Sequence, residues 1–212
     1  MLFRSAEAAL ELLRRKNLPF FLLTNDGNHS VEEKSMLLAN AGLHVSPGEI
    51  VSCAMALGGF AVETSSHGKR YFVLGELGVP CFAERAGLRV CRNAEEIDSC
   101  AGVIVGEGCY NWQDHISAAL NFFIRHPDRP MLVPNPDSYW PGRVKGEFGI
   151  GAGAKARFIC GLLAEMGISF SPIYLGKPYP VIFEFAMGRL RRHFSLDGLL
   201  PSEVVMVGEI GR

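Results

Sequence analysis

The sequence holds no uninterrupted apolar stretch of membrane-spanning length, which excludes a lipid-crossing helix of ordinary length. It has no long basic run, and its net charge is −1, so nucleic acid is not expected as the main partner. It begins with no basic-then-apolar signal, and a cytoplasmic location is expected. The six cysteines include no Cys-x-x-Cys pair and read as reduced, mostly buried thiols. The six histidines lack ligand spacing, which argues against zinc. There is no defensible internal repeat and no low-complexity linker. What remains is a composition of 48% hydrophobic and 20% charged residues, which is globular, over 212 residues. That length is enough for one sizeable core or two small ones.

Helical and strand signals alternate along the chain. Ala6 to Lys16 carries apolar residues at helical spacing, and Leu18 to Thr24 is a nearly unbroken apolar run, as in a strand covered on both faces. Ser30 with Glu33 forms a capping box that opens a helix to about Ala41. Ser46-Pro47 repeats a helix-start signal. KRYFVLG, GVIVGE, PMLVPN, IYLGK and VVMVG read as strands. Helical patterns lie at Trp112 to Arg125, Ala152 to Met166 and about Pro180 to Arg192. Such alternation argues for parallel sheets with helical crossovers.

Three stretches carry chemistry: LPFFLLTNDG, YLGKPYP and VVMVGE. In open α/β sheets, ligands bind beyond the carboxyl ends of the strands. A hydroxyl, an amide, an ammonium and a carboxylate meeting there suit a phosphoryl group. Thr24 and Asn25 can hydrogen-bond its oxygens, Lys177 can offset their charge, and a carboxylate can hold magnesium. Each stretch alone also reads as turn chemistry or a solvated charge. Their order and context together are far more specific.

That order resembles the haloacid dehalogenase superfamily, and more closely its NagD-like branch (class IIA, C2-capped), over nearly the whole chain. Thr24 and Asn25, followed by Asp26, match the second motif, Lys177 in GKPYPVIFEFA matches the third-motif lysine, and Gly208-Glu209 sits where the fourth motif has Gly-Asp. NPDSYWPG and GIGAGAKARFI resemble the cap segment facing the active site, with Asn135 and Asp137 as substrate-proximal residues. The resemblance implies an α/β fold with a Rossmann-like parallel-sheet core at 6–66 and 172–209 and an inserted α/β cap at 67–171. It implies a magnesium-dependent phosphatase acting on a small phosphomonoester through an aspartyl-phosphate. Sugar phosphates, nucleoside monophosphates, phosphoglycolate and pyridoxal phosphate all fit the branch. Lys177 and Thr24 would serve catalysis. Thr24, Asn25, Asp26, Lys177, Asn135 and Asp137 would bind phosphate or substrate, and Glu209 would stand in for a metal-binding Asp. Tyr139 and Trp140 could stack on a flat substrate or simply pack the cap. The expected partners are a small phosphorylated metabolite and, through the cap, a second copy of the chain; neither nucleic acid nor membrane is expected.

The family's first motif is D-x-D-G, whose first Asp attacks phosphorus, and this sequence contains no Asp-x-Asp. Its core would therefore lack the first strand, and the 212-residue chain is expected to be inactive and poorly stable. The ends suggest a reason. Leu2 to Ser5 can be encoded by CTCTTCCGATCT, and Glu209 to Arg212 by a string containing its reverse complement, AGATCGGAAGAG. One synthetic oligonucleotide read at both ends of a DNA fragment would produce this. Residues 1–5 and 210–212 are then expected to be non-native, with Glu209 straddling the junction. A natural pseudophosphatase remains open, as does a nucleotide-binding Rossmann-like module built on Gly149-Ile150-Gly151-Ala152-Gly153 and Gly106-Glu107-Gly108.

Overall fold

Apolar residues at helical spacing make the first element, α1 (Arg4–Arg15), whose last turn carries Arg14 and Arg15 where cations suit the helix dipole. The computed structural model describes residues 4–208, apart from 109, 143 and 145. The chain runs on through β1 (Leu22–Thr24), α2 (Val31–Asn40), β2 (Ile50–Ser52), α3 (Leu57–Glu63), β3 (Arg70–Leu74), α4 (Phe82–Arg85) and β4 (Arg89–Cys91). Next come β5 (Val103–Val105), α5 (Trp112–Arg125), β6 (Met131–Val133), β7 (Tyr139–Pro141), β8 (Phe148–Ile150), α6 (Ala152–Glu165), β9 (Ile173–Tyr174) and α7 (Pro180–Phe194).

Two parallel sheets organise the molecule. β1 and β2 form a pair, with Leu22 opposite Ile50 and Thr24 opposite Ser52. The larger sheet has the order β4-β3-β5-β6-β9, parallel throughout. Alternation along its strands fills two cores. Tyr71, Val73, Ile104 and Leu132 face a cluster shared with Ile50, Val51, Leu57 and Ile182. Phe72, Val103, Val105, Met131 and Val133 face the other side, against Ile116, Phe122 and Phe123 of α5 and Ile159 and Leu163 of α6. Burial on both faces is why these strands read as continuous apolar runs. A small antiparallel hairpin, β7 with β8, stands outside the sheet.

The structure departs from the sequence reading at four places. Only Leu22–Thr24 of the Leu18 to Thr24 run pairs as a strand. Ser46-Pro47 opens only a 3₁₀ turn, Pro47–Glu49, because Ile50 and Val51 are pulled in beside β1 as β2. The expected boundary at 171/172 does not follow the sheets, since β9 pairs with β6 and so joins the strands assigned to the cap. Val204 to Val207 form no strand, and Val205 and Val207 are 84% and 89% exposed. A four-residue β-prone stretch needs a neighbour for its N–H and C=O groups. Among the described residues no strand pairs with it, nor with the second edge of β1.

Candidate active site

β1 delivers Thr24 to the end of the small sheet, and the next residues fold into a side-chain-tied turn. The Asp26 amide donates to Thr24 Oγ1 at 3.1 Å. Asp26 Oδ1 accepts from the amides of Asn28 and His29 at 2.8 and 3.2 Å, and its Oδ2 lies 3.0 Å from His29 Nδ1. This is the Asx-type turn that short polar side chains favour over continued strand. The end of β2 clamps the turn from behind: Ser52 Oγ donates to Asp26 O at 2.7 Å and Cys53 Sγ to Asn25 O at 3.0 Å. Lys34 of α2, itself buried, donates to His29 O, reaches Ser52 Oγ at 3.4 Å and lies 3.7 Å from Asp26 Oδ2. Burial lowers the Lys34 pKa, and Asp26 opposes that shift. The Ser30 capping box expected from sequence is formed, and it starts α2 directly after the turn.

Asn25 is the junction. Its Nδ2 donates to Asp137 Oδ1 at 3.1 Å and to Lys177 O at 2.9 Å, while its Oδ1 accepts from the Lys177 amide at 2.8 Å. Residues 112 and 152 positions apart in sequence thus meet on one amide. Lys177 Nζ donates to Leu23 O at 3.2 Å, which sets the ammonium beside the end of β1. Gly176 makes that approach feasible. A Cβ there would stand 2.6 Å from Pro134 O and 2.7 Å from Asn25 Oδ1, closer than atoms can pack.

Residues 135–138, after β6, bring the other side of the site. Asn135 is buried; its Oδ1 accepts from the Asp137 amide at 2.9 Å, and its Nδ2 donates to Glu107 Oε1 at 2.8 Å. Glu107 Oε1 also accepts from the Ala152 amide at the start of α6, at 3.3 Å. Lys155, on the same helix, donates to Gly106 O at 3.1 Å and lies over the Tyr110 ring. Burial raises the Glu107 pKa and lowers that of Lys155. The glycines before α6 serve this packing: a Cβ on Gly153 would stand 1.9 Å from Pro136 O. The Gly153 amide already donates to Asp137 O, so the Gly-rich stretch is filled by its own chain. Tyr139 packs edge-on to Phe148, and the Trp140 ring lies against Gly149, so both aromatics are engaged within the hairpin.

Thr24, Asn25, Asn135, Asp137 and Lys177 therefore converge at one end of the sheets. Asp26 faces its own loop, its carboxylate occupied by two amides and a histidine. Glu209 lies outside the described residues. In sequence Glu107 stands out only within Gly106-Glu107-Gly108, as a nucleotide-binding feature, and Lys34 and Lys155 do not stand out. A signal was there: Lys34 and Lys155 interrupt the buried stripes of their helices, beside Val31 and beside Ala152, Ala156 and Ile159. A lysine on a core stripe needs a partner.

A family model described as haloacid dehalogenase-like hydrolase matches residues 1–89. The chain is 28% identical over 195 residues to the ribonucleotide monophosphatase NagD of Escherichia coli (strain K12), covering 92% of this chain and 67% of that one. The solved structure of NagD from that strain matches with a TM-score of 0.70 at 26% identity, over 89% of this chain and 68% of that one. The chain is thus similar to the haloacid dehalogenase-like hydrolases, over residues 1–89, and to NagD over most of its length. It is also 26% identical over 212 residues to an acid sugar phosphatase of Staphylococcus aureus (strain MRSA252), covering 97% of this chain and 71% of that one. A glycerol phosphate phosphatase from Mycobacterium tuberculosis, solved in complex with calcium, shares the fold with a TM-score of 0.69 at 21% identity, over 85% of this chain and 51% of that one. Among the described residues, no three His, Cys, Asp or Glu side chains converge as a cation site.

Proposed function

We propose that the chain supplies the phosphate cradle and cap of a magnesium-dependent phosphatase for small phosphomonoesters, one that works through an aspartyl-phosphate. The observation that carries this is the shared Asn25 amide, which ties the second-motif turn to both Lys177 and Asp137. Lys177 offsets phosphoryl charge from beside the end of β1. Thr24 Oγ1 accepts from the Asp26 amide, which leaves its own proton free to donate to a phosphate oxygen. Magnesium would offset further charge on those oxygens, in keeping with the calcium held by the Mycobacterium tuberculosis relative. The described residues do not converge on a cation, and no step here runs through one.

The covalent step needs a nucleophile in line with the leaving oxygen. With no Asp-x-Asp in the sequence, the 212 residues are expected to hold phosphate without transferring it. Titration calorimetry with inorganic phosphate tests this on the chain and on Lys177→Ala and Thr24→Val. Binding should weaken by about tenfold or more in Lys177→Ala, the loss expected for one charge-assisted contact. Equal binding by all three proteins would remove the cradle assignment, and phosphomonoester turnover at ordinary phosphatase rates would refute the motif assignment. The nucleotide-binding alternative is disfavoured by the occupied Gly153 amide.

A further inference from the structure

We propose that Glu107 is a positioning residue for the phosphate cradle, acting through Asn135 and Asp137 on Asn25. What the cradle holds rests on the phosphatase reading above; the positioning itself rests on the hydrogen bonds. Four contacts form an unbroken relay. Glu107 Oε1 fixes Asn135 Nδ2 at 2.8 Å, Asn135 Oδ1 fixes the Asp137 amide at 2.9 Å, Asp137 Oδ1 holds Asn25 Nδ2 at 3.1 Å, and Asn25 Oδ1 holds the Lys177 amide at 2.8 Å. Glu107 suits the anchoring end. It is buried at the end of β5, it takes the first amide of α6 as well, and Lys155 stands nearby as its counter-charge. An amide in Asn135's place can turn over by swapping its oxygen and nitrogen; a carboxylate can only accept, so Glu107 dictates which way Asn135 faces. Asn135 reversed would present a donor to the Asp137 amide, and the loop carrying Asp137 would leave Asn25.

The test uses the 212-residue chain, labelled with nitrogen-15, and Glu107→Ala, Glu107→Gln, Asn135→Ala and the Glu107→Ala/Asn135→Ala double variant. The readouts are the Asn25 side-chain amide and Lys177 backbone amide resonances, together with the affinity for inorganic phosphate. Glu107→Ala should shift both resonances and weaken phosphate by about tenfold, the scale of one lost hydrogen bond in a relay. Glu107→Gln, whose carbonyl can still accept, should restore them. The double variant should lose no more than either single change, because all three break one relay. Asn25 signals left in place by Glu107→Ala, or losses that add in the double variant, would overturn the proposal. Should Glu107→Ala not fold, Asn135→Ala against Glu107→Gln decides: loss in the first and retention in the second support the relay, and any other pattern overturns it. A chain that binds no phosphate, yet shows the Asn25 shifts, removes the phosphatase reading and leaves the positioning role standing.

Discussion

Glu107, Lys155 and Lys34 are charges placed where most helices and strands carry apolar side chains, and each responds to pH in a definite sense. Burial holds the Glu107 carboxyl above its ordinary range, so the folded chain binds a proton there more readily than the unfolded chain. This group's contribution to stability is therefore greatest below the ordinary glutamate pKa, and it falls as pH rises through the folded pKa. Glu107→Gln removes that slope. Relative to the parent chain, the variant should gain stability as pH rises through this window and then level off. Urea midpoints measured across the acid range check the prediction, and a difference that is flat with pH would contradict it. Sequence alone picked out Asn25, Asn135, Asp137 and Lys177 because they stand in recognisable motifs. It offers Glu107 only as part of Gly106-Glu107-Gly108 in the nucleotide-binding alternative, because nothing local points to Asn135, and only the fold shows what it faces.

At the scale of elements, the start of α2 does two jobs. Glu33 Oε2 accepts from the Ser30 amide at 2.6 Å, closing the capping box, and from the Val79 amide at 2.9 Å, across to the loop after β3. Ser30→Ala should cost about 1 kcal/mol, the usual loss for an N-cap. Glu33→Ala should cost more, because two amides lose their acceptor, by about 1–3 kcal/mol for each that stays buried and unpaired. Thermal or denaturant unfolding of the two variants checks the order, and equal losses would mean the Val79 contact contributes nothing. The same element shows what was legible. The Ser-x-x-Glu signature fixed its start, since capping is a local matter, and α5, α6 and the central strands β3, β5 and β6 carry equally local patterns. β2 and β4 are harder to read: Ile50–Ser52 follows directly on the Ser46-Pro47 helix-start signal, and Arg89–Cys91 is buried only at its last residue, unlike the wholly buried β5 and β6. Val204 to Val207 misled for the opposite reason: their β-propensity is plain, but a strand exists only by pairing, and pairing is not local.

Over the whole molecule, the two sheets are unequally supported. The larger sheet is covered on both faces, by α5 and α6 on one and by the shared cluster on the other. β1 and β2 have each other, and Leu22 to Thr24 are only half-buried. Local opening follows such differences in burial and pairing. Hydrogen exchange should therefore be slowest at Val73, Ile104 and Leu132 and clearly faster at Leu22 to Thr24; uniform protection across both sheets would contradict this. The cradle thus sits where the better-anchored half meets the weaker one, with Asn25 as their shared fastening. That has a consequence for how the sequence can change. The Asn25 amide gives a proton to Asp137 and takes one from Lys177, so its two ends are not interchangeable. An aspartate at 25 would set two carboxylates against each other across the seam. It would be tolerated only alongside an asparagine at 137. The two motifs can drift only as a matched pair, although they lie 112 positions apart in the chain.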